Sequence, residues 1–382
     1  MAMIRKASNI RKKLHMLVYG EQGTGKSRTA MQLCYLKNAD GRPFRVLYMD
    51  TENGSIDNYT EELAANGANP ENLLVVYTQS LAEVQDYIKT VTNNEDFEDD
   101  DGNVILDADG EPFRADALVI DSASILKMSA QQGLTIFSQK RAKVKAIAQG
   151  LTGDEKAVKI EGAGMELKDF NTLNFKGQSL ILDLNASGVN YIVVCREKDE
   201  KRTKVVNGSI ASEATGRKIP DGFTGQEYNV DTEFRLYFQD GQQLAYFDKD
   251  RTGVHKGGEI VEDLTLLQYQ DIITGSASNK EFVIKNGLND AVKTEVRLNM
   301  RDLGVDGDEP ESKPSEKKAN GTEVTADSIK AKLNEMIGAA SPIKKNNAAK
   351  ALKEAGLPTA FRSMTDIEKL KQIAAVMEKE LA

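Results

Sequence analysis

The amino-acid sequence predicts an α/β fold in which a mainly parallel sheet is flanked by helices, followed by a small C-terminal helical domain. From residue 14 onward, short apolar runs alternate with segments of helical periodicity, which is typical of parallel strands joined by helices. The runs are almost continuously apolar, as expected for strands buried on both faces. The predicted strands are Leu14 to Tyr19, Arg45 to Met49, Leu73 to Thr78, Ala117 to Asp121 and Tyr191 to Cys195.

Helices are expected between these strands, and an antiparallel hairpin is expected at one edge of the sheet. Apolar residues recur at helical spacing in Ser27 to Lys37, Ile56 to Ala65 and Leu81 to Val91. Asp231 to Phe238 and Gln243 to Asp248 flank an Asp-Gly pair, which is a strong hairpin signal. We therefore assign residues 1–304 to one α/β core.

The C-terminal part of the chain changes character. Residues 305–323 contain no large apolar side chain after Val305, which predicts a flexible linker. Residues 324–382 then predict a small helical domain. Its helices are expected at Ala326 to Ile337, Ile343 to Ala355 and Thr365 to Leu381.

Acidity is confined to one segment. The 382 residues carry a formal net charge of −9, and residues 95–116 hold ten acids and one Arg, which accounts for all of it. Two Asp-Gly pairs flank an Asn-Val-Ile-Leu run in this segment, which predicts a solvated hairpin inserted at about residues 94–115.

Composition limits the cellular setting. No apolar run is long enough to span a bilayer, and the basic start of the chain leads into a glycine-rich loop rather than a signal peptide. Cys34 and Cys195 are too few for a disulfide scaffold. We expect a cytoplasmic protein with no membrane partner.

The first apolar run leads into a glycine-rich loop with the pattern G-x-x-x-x-G-K-[ST]. A strand before it and a helix after it are the context in which this pattern cradles phosphates through backbone N–H groups. Lys26 would reach the β- and γ-phosphates of ATP, and Ser27 would offer its hydroxyl to Mg²⁺. The predicted ATP-binding residues here are Gly20, Glu21, Gln22, Gly23, Thr24, Gly25, Lys26, Ser27 and Arg28.

Carboxylates follow two other predicted strands. Asp121 ends an apolar run and is the expected Mg²⁺ ligand beside Ser27. Asp50 and Glu52 follow a second run, and they either cap the end of that strand or place Glu52 as the base that orients an attacking water.

The order of these motifs resembles the RecA family of P-loop ATPases over roughly residues 14–255. A phosphate loop precedes a strand ending in Asp50-Thr-Glu52 and a strand ending in Val-Ile-Asp121-Ser. The resemblance implies a RecA-like core in which Glu52 is catalytic and Tyr59 lies against the adenine, although Tyr59 could equally be a core residue. Arg196 follows another strand, where the family places a γ-phosphate sensor that is usually Gln or another polar side chain. Arginine departs from this pattern, so the alternative to a sensor is a plain surface arginine.

A second resemblance concerns oligomeric assembly. Asp248-Lys249-Asp250-Arg251-Thr-Gly is similar to a Lys-x-Arg element of hexameric DnaB-type helicases and related RecA-like ATPases. In those proteins the cations act on the γ-phosphate of a neighbouring subunit. The resemblance implies a ring or filament, with a solvated basic strand end as the alternative.

The segment from Glu197 to Asn229 is rich in cations and glycines and predicts a mobile loop suited to a phosphate backbone. In RecA-like proteins the corresponding segment is a DNA-binding loop. Residues 150–177 would be the second such loop, and oligomer or lid loops are the alternative for both. The candidate DNA-binding residues are Lys198, Lys201, Arg202, Lys204, Arg217 and Lys218.

Together these features predict a homo-oligomeric RecA-like ATPase, with ATP and Mg²⁺ as cofactors, that acts on single-stranded DNA. The sequence looks like compact phage recombination ATPases, including those of single-strand annealing, so the host cytoplasm is the expected location if a phage encodes it. The alternatives are a replicative helicase motor or loader and a KaiC-like regulatory ATPase that does not bind DNA. The C-terminal helical domain is expected to contact a single-strand binding protein or another replication partner.

Overall fold

The structure is a computed structural model in which the chain divides into two compact units, Met1–Val305 and Asp306–Ala382. It describes residues 13–54, 56–206, 209–274, 286–302, 333, 350–352, 355, 357–358 and 367–381.

A nine-stranded sheet forms the centre of the first unit, in the order β3-β2-β4-β5-β1-β7-β8-β9, with β6 paired to β5. Strands β1 to β5 and β7 run parallel to one another, whereas β6, β8 and β9 pair antiparallel with β5, β7 and β8. The predicted α/β class, a mainly parallel sheet flanked by helices, is confirmed. The strands are β1 His15–Gly20, β2 Val46–Asp50, β3 Leu73–Tyr77, β4 Ala117–Asp121, β5 Asn190–Val206, β6 Ser209–Pro220, β7 Thr232–Gln239, β8 Gln242–Asp250 and β9 Ile260–Glu262.

Helices connect the strands largely where the periodicity predicts them. Two predicted helices are partly 3₁₀ turns, at Gln32–Tyr35 and Asp57–Tyr59. The start of α3 has a clear local cause, because the Ser80 side chain accepts the N–H of Glu83 as an N-cap. The helices are α1 Lys26–Met31, α2 Thr60–Ala65, α3 Leu81–Asn93, α4 Ala123–Ala148, α5 Gly153–Glu161, α6 Leu167–Ala186, α7 Gln226–Asn229, α8 Gln270–Thr274, α9 Leu288–Asp302 and α10 Ile367–Leu381.

Both faces of the sheet are buried. In β1, Met16 and Val18 pack into one apolar layer, whereas Leu17 and Tyr19 pack into the other. This alternation follows from the two-residue period of a strand. It explains why the central strands are apolar at nearly every position rather than at every second one.

The sheet has two edges of different character. We call the side where β1 to β5 reach Gly20, Asp50, Asp121 and Arg196 the carboxyl edge, because those residues come at or near the ends of parallel core strands. The opposite side is the amino edge. Strand β8 runs antiparallel to β7 and therefore ends at the amino edge, where Asp250 pairs with Thr232.

The acidic segment differs from the predicted solvated hairpin. It forms two successive tight turns, each closed by one isolated bridge, Glu98 to Val104 and Leu106 to Pro112. Aspartates organise both turns: Asp99 accepts the N–H groups of residues 101 and 103, and Asp107 accepts those of residues 109 and 111. The segment is also anchored rather than fully solvated, since Phe97 and Phe113 are buried in the core.

The segment predicted as a mobile basic loop is mainly a β-hairpin. Strand β5 continues ten residues past Arg196, and β6 pairs with it from Glu197 opposite Pro220 to Val206 opposite Ser209. Residues 150–177, predicted as a second loop, form α5 and the first half of α6. The hairpin and α5 lack the apolar stripe that would identify them, because most hairpin side chains are polar and α5 buries none of its residues.

The second unit is described mainly through α10. Leu370, Ile373 and Met377 recur at helical spacing and are buried, as are Leu333 and Leu352. The predicted linker lies outside the described residues, as do most of the two other predicted C-terminal helices. Within the parts of the chain that the structure describes, no helix has both the length and the apolar character needed to cross a bilayer.

Candidate functional site

The glycine-rich loop connects β1 to α1 and has little room for side chains. Gly23 and Gly25 have φ values of 78° and 85°, in the left-handed region that favours glycine. A Cβ atom on Gly25 would lie 2.3 Å from the side-chain nitrogen of Gln243. The hydroxyl of Thr24 donates to the carbonyl of Glu21 at 2.9 Å and closes the loop on itself.

The loop forms one wall of a cavity of about 1190 Å³ at the carboxyl edge. This is ample room for a nucleotide, since ligand pockets commonly measure about 300 to 1,000 Å³. All predicted nucleotide and metal residues except Thr24 line it. The lining residues are Gly20, Glu21, Gln22, Gly23, Gly25, Lys26, Ser27, Arg28, Glu52, Tyr59, Glu62, Asp121, Arg196, Glu197, Lys198, Asp199, Lys218, Phe238, Gly241, Gln242, Gln243 and Asp263.

Lys26 lies in the loop with its ammonium group folded back. Its Nζ donates to the carbonyl of Glu21 at 2.5 Å. Burial lowers the pKa of Lys26, while the carboxylates of Asp121 and Glu52 act in the opposite direction. An anion that enters the loop would therefore meet a cation that is already poorly solvated, which strengthens their attraction.

Ser27 and Asp121 place two oxygen atoms together at the end of the loop. The Ser27 hydroxyl donates to Asp121 Oδ2 at 2.5 Å, and the Tyr48 hydroxyl donates to the same oxygen at 2.5 Å. Burial raises the pKa of Asp121. Hydroxyl and carboxylate oxygens are the ligands that Mg²⁺ prefers, so this pair fits the predicted metal site.

Asp50 and Glu52 have different environments. Asp50 is fully buried and accepts the backbone N–H groups of Glu52 and Gly54 at 2.8 and 2.9 Å, so it holds the turn after β2. Glu52 faces the cavity, where its Oε1 accepts the Ser122 hydroxyl at 3.1 Å and Arg196 Nη2 at 2.9 Å. Both sequence interpretations of this strand end therefore have a counterpart: Asp50 caps it, and Glu52 reaches the cavity.

Arg196 and Tyr59 also reach the cavity. Strand β5 lies between β4 and β1, so Arg196 comes between Asp121 and the phosphate loop. Tyr59 is partly buried and packs against the core while lining the cavity, next to Arg28 and Glu62, which form a 2.8 Å ion pair.

The turn between β7 and β8 is the part of the site that sequence reasoning missed. Gln243 donates from Nε2 to the carbonyl of Thr24 at 2.6 Å, and Phe238 and Gln242 line the same cavity. The Asp-Gly turn was visible in the sequence. The position of this turn over the phosphate loop could not be predicted, because it depends on the pairing of β7 with β1 in the sheet.

Lys249 and Arg251 lie at the amino edge and do not line the cavity. Lys249 donates to the backbone carbonyl of Glu227, and the Arg251 guanidinium is 4.0 Å from Asp231. Strand β1 spans roughly 17 Å between the two edges. The structure therefore does not bring these cations to the phosphate loop of their own subunit.

The candidate DNA-binding residues fall into two groups. Lys198 and Lys218, at the base of the β5–β6 hairpin, line the cavity. The others lie along the hairpin. Most of the cations have acidic partners: Lys198 with Asp221 at 3.1 Å, Lys218 with Asp199 at 3.0 Å, Arg217 with Asp248 at 2.9 Å, Lys204 with Glu213 at 3.4 Å and Arg202 with Glu200 at 4.0 Å, while Lys201 is exposed.

The topology and the loop define an α/β protein with a P-loop nucleotide-binding architecture. No protein-family model and no curated protein match the sequence. Among solved structures, a KaiC-like protein from the hyperthermophilic archaeon Pyrococcus horikoshii is similar, with 16% identity, a TM-score of 0.34, and coverage of 65% of this chain and 83% of that one. The RadB recombinase is similar at 16% identity and a TM-score of 0.35, over 65% of this chain and 84% of that one.

Proposed function

We propose that this chain binds and hydrolyses Mg-ATP and acts as a homo-oligomer on single-stranded DNA, in recombination or replication of the phage type. One observation carries the enzymatic part. Five residues from four separate places in the sequence meet in one cavity: Lys26, Ser27, Glu52, Asp121 and Arg196. These are the residue types that phosphoryl transfer requires.

The phosphate loop would hold the nucleotide. Backbone N–H groups of residues 20–27 would surround the β-phosphate, and Lys26 would exchange its contact with the Glu21 carbonyl for the β- and γ-phosphates. Ser27 and Asp121 would hold Mg²⁺, which supplies charge neutralisation at the transferring phosphoryl group. Tyr59 and Phe238 both line the cavity and offer aromatic surfaces to the adenine ring.

Glu52 is the proposed base. Its carboxylate is held by Ser122 and Arg196, and 34% of the side chain remains exposed to the cavity. It can therefore accept a hydrogen bond from a water molecule and orient it for attack. Arg196, on the same carboxylate, is the proposed sensor: a γ-phosphate would compete with Glu52 for its guanidinium, which links the state of the nucleotide to the position of the base.

DNA contact is proposed for the β5–β6 hairpin. Two of its cations, Lys198 and Lys218, line the nucleotide cavity, while Lys201, Arg202 and Lys204 lie further along β5. Contact of these three outer cations with a phosphate backbone would therefore involve the same hairpin whose base lines the cavity. The C-terminal unit is the proposed contact for a single-strand binding protein or another replication partner.

The position of Lys249 and Arg251 supports an oligomer. Cations at the amino edge can act on a triphosphate only if it is bound at the carboxyl edge of another copy. The same feature favours the second candidate, a replicative helicase motor, since such motors use a Lys-x-Arg element between subunits.

ATP hydrolysis with and without single-stranded DNA, together with the mass of the protein in nucleotide, tests this proposal. We expect hydrolysis that Lys26→Ala abolishes and that DNA changes. Unwinding of a forked duplex would favour the helicase, and annealing or strand exchange without unwinding would favour recombination. Hydrolysis with no DNA binding would refute the DNA role and favour a regulatory ATPase of the KaiC kind. Absence of hydrolysis in the parent protein would refute the enzymatic proposal.

A further inference from the structure

The second half of α4 exposes an apolar face. At 100° per residue, Ile136, Phe137, Lys140, Lys143, Val144 and Ile147 lie on one side of the helix, opposite the buried stripe of Ser138, Ala142 and Ala146. The four apolar side chains are 48% to 68% exposed. We call these six residues the α4 outer face. A contiguous exposed apolar surface of this kind commonly marks a site of interaction with another molecule.

This face projects beyond the carboxyl edge of the sheet. Helix α6 ends at the amino edge, where Asn185 donates to the Asn229 carbonyl, while its Gly177 packs on Phe223 near the carboxyl edge. Asp169 lies eight residues before Gly177, which is about 12 Å further out. Asp169 accepts hydrogen bonds from Ser138 and Arg141 of α4. This part of α4 therefore lies, like Asp169, beyond the carboxyl edge of the sheet.

The outer face is positively charged. Residues 131–150 contain Lys140, Arg141, Lys143 and Lys145 and no acid. Arg141 pairs with Asp169, whereas Lys140 and Lys143 are exposed among the apolar residues. A matching partner therefore presents acids next to exposed apolar side chains.

The acidic segment of residues 95–116 has this complementary character. It exposes Val104 and Leu106, at 39% and 49%, between its two aspartate-rich turns. It lies at the amino edge, because Asp116 accepts the N–H of Arg45 just before β2 and Ala108 donates to Asn72 just before β3. The two complementary surfaces of one chain thus lie at opposite edges of its sheet.

We propose that the acidic segment of one copy docks on the α4 outer face of the next, in a head-to-tail contact. Because the two surfaces differ and lie at opposite edges, repetition of the contact produces a ring or a filament rather than a closed dimer. The same orientation turns the neighbour's amino edge, with Lys249 and Arg251, towards the nucleotide cavity. The inference rests on the oligomer in the proposed function and names the surfaces that form it.

The contact is tested by exchanging charges on the two surfaces and measuring the mass of the assemblies. Analytical ultracentrifugation of the full chain, over a range of concentrations with and without Mg-ATP, gives this mass. Lys140→Glu with Lys143→Glu is expected to weaken self-association at least tenfold, and so is Asp100→Lys with Asp101→Lys. The chain carrying all four changes is expected to recover most of it, since the pairs are opposite again. Lys201→Glu with Lys204→Glu makes the same charge change on the hairpin and is expected to assemble like the parent.

Several outcomes would overturn the contact: a monomeric parent under all conditions, normal assembly of either double variant, no recovery in the fourfold variant, or dissociation of the hairpin control. A Lys140→Glu, Lys143→Glu protein that keeps its mass but no longer binds a labelled oligonucleotide would assign the face to nucleic acid instead. Circular dichroism melting of each variant separates lost contact from lost folding. A parent that assembles without hydrolysing ATP would refute the proposed enzyme while leaving the docking contact to be decided by the charge exchange.

Discussion

The Ser27 hydroxyl donates to Asp121 Oδ2 at 2.5 Å, across 94 residues of sequence. The two residues belong to the first turn of α1 and to the end of β4, and β5 lies between β4 and β1 in the sheet. Their approach thus depends on the order of three strands. It places two hard oxygen atoms beside the loop that would hold the phosphates.

Asp121→Asn is expected to weaken Mg²⁺ binding in the ATP complex by at least about 10-fold, because an amide oxygen carries no negative charge to offset the cation. The dependence of ATP hydrolysis on Mg²⁺ concentration measures this. Tyr48→Phe is the matched control, since it removes a hydrogen bond to the same carboxylate oxygen and leaves its charge. It is expected to cost about 1 kcal/mol of folding stability with little change in Mg²⁺ dependence. Equal Mg²⁺ dependence in Asp121→Asn and the parent would contradict this assignment.

Glu52→Gln is expected to lower the rate of ATP hydrolysis by roughly 10² to 10⁴-fold, because the amide cannot act as a base, while ATP affinity stays near that of the parent. Single-turnover hydrolysis and binding of a fluorescent ATP analogue measure the two quantities separately. Glu62→Gln provides the control. Glu62 lines the same cavity but pairs with Arg28, so its rate should remain within a few-fold of the parent. If Glu52→Gln hydrolysed ATP normally, another group would have to orient the water.

Much of this site could be predicted because its signals are local. The loop residues are contiguous, and the runs that end in Asp121 and at Glu52 are apolar enough to identify buried strands. Gln243 could not be predicted, since its contact with Thr24 requires the neighbouring positions of β1 and β7. The sequence predicts a loop where the structure has the long β5–β6 hairpin, because the outer parts of these two strands are stabilised by pairing rather than by an apolar stripe. Local sequence thus predicts where a strand ends better than it predicts which residues of the neighbouring strands contact that end.

A buried glutamate gives the fold a pH dependence. Glu233 is 7% exposed and lies near Asp248, Lys249, Glu227 and Arg217. Burial raises its pKa to about 7 from the ordinary 4.5. The folded protein therefore binds this proton more tightly than the unfolded chain. Stability from this group is complete below about pH 4.5 and is lost as the pH rises to about 7.

Glu233→Gln removes this charge and is expected to raise the free energy of unfolding at pH 8, by no more than about 3 kcal/mol. Little difference from the parent is expected at pH 4.5, where Glu233 is protonated in the folded protein and the pH has fallen to the ordinary pKa of the unfolded chain. Urea denaturation at both pH values measures the difference, and the exposed Glu213→Gln serves as the control. A variant that is less stable than the parent at pH 8 would show that the carboxylate is stabilised by its neighbours, contrary to this expectation.

The outer cations of the hairpin are expected to contribute to DNA affinity. Replacement of Lys201, Arg202 and Lys204 by Ala should weaken oligonucleotide binding and reduce the slope of log affinity against log salt concentration by about 2, because each phosphate contact to a single strand contributes about 0.7. Fluorescence anisotropy at several salt concentrations measures both. Replacement of Lys37, Arg42 and Lys89 by Ala removes three cations elsewhere and should leave the slope unchanged. An unchanged slope in the hairpin variant would remove the hairpin from the DNA interface.

Arg251 is expected to act on the nucleotide of a neighbouring copy. Its own phosphate loop lies at the other edge of the sheet, so Arg251→Ala should bind ATP normally and hydrolyse it poorly, while Lys26→Ala should fail at the loop itself.

When the two inactive proteins are mixed in equal amounts, a working site forms where an Arg251→Ala copy, with its intact loop, meets a Lys26→Ala copy that supplies Arg251. Random mixing produces about a quarter of such interfaces, so up to about a quarter of the parent rate should return. The rate measured against the mixing ratio should peak near equal amounts. If no activity returned although the copies mixed, as judged by the mass of assemblies of tagged and untagged chains, Arg251 would have no role across the interface.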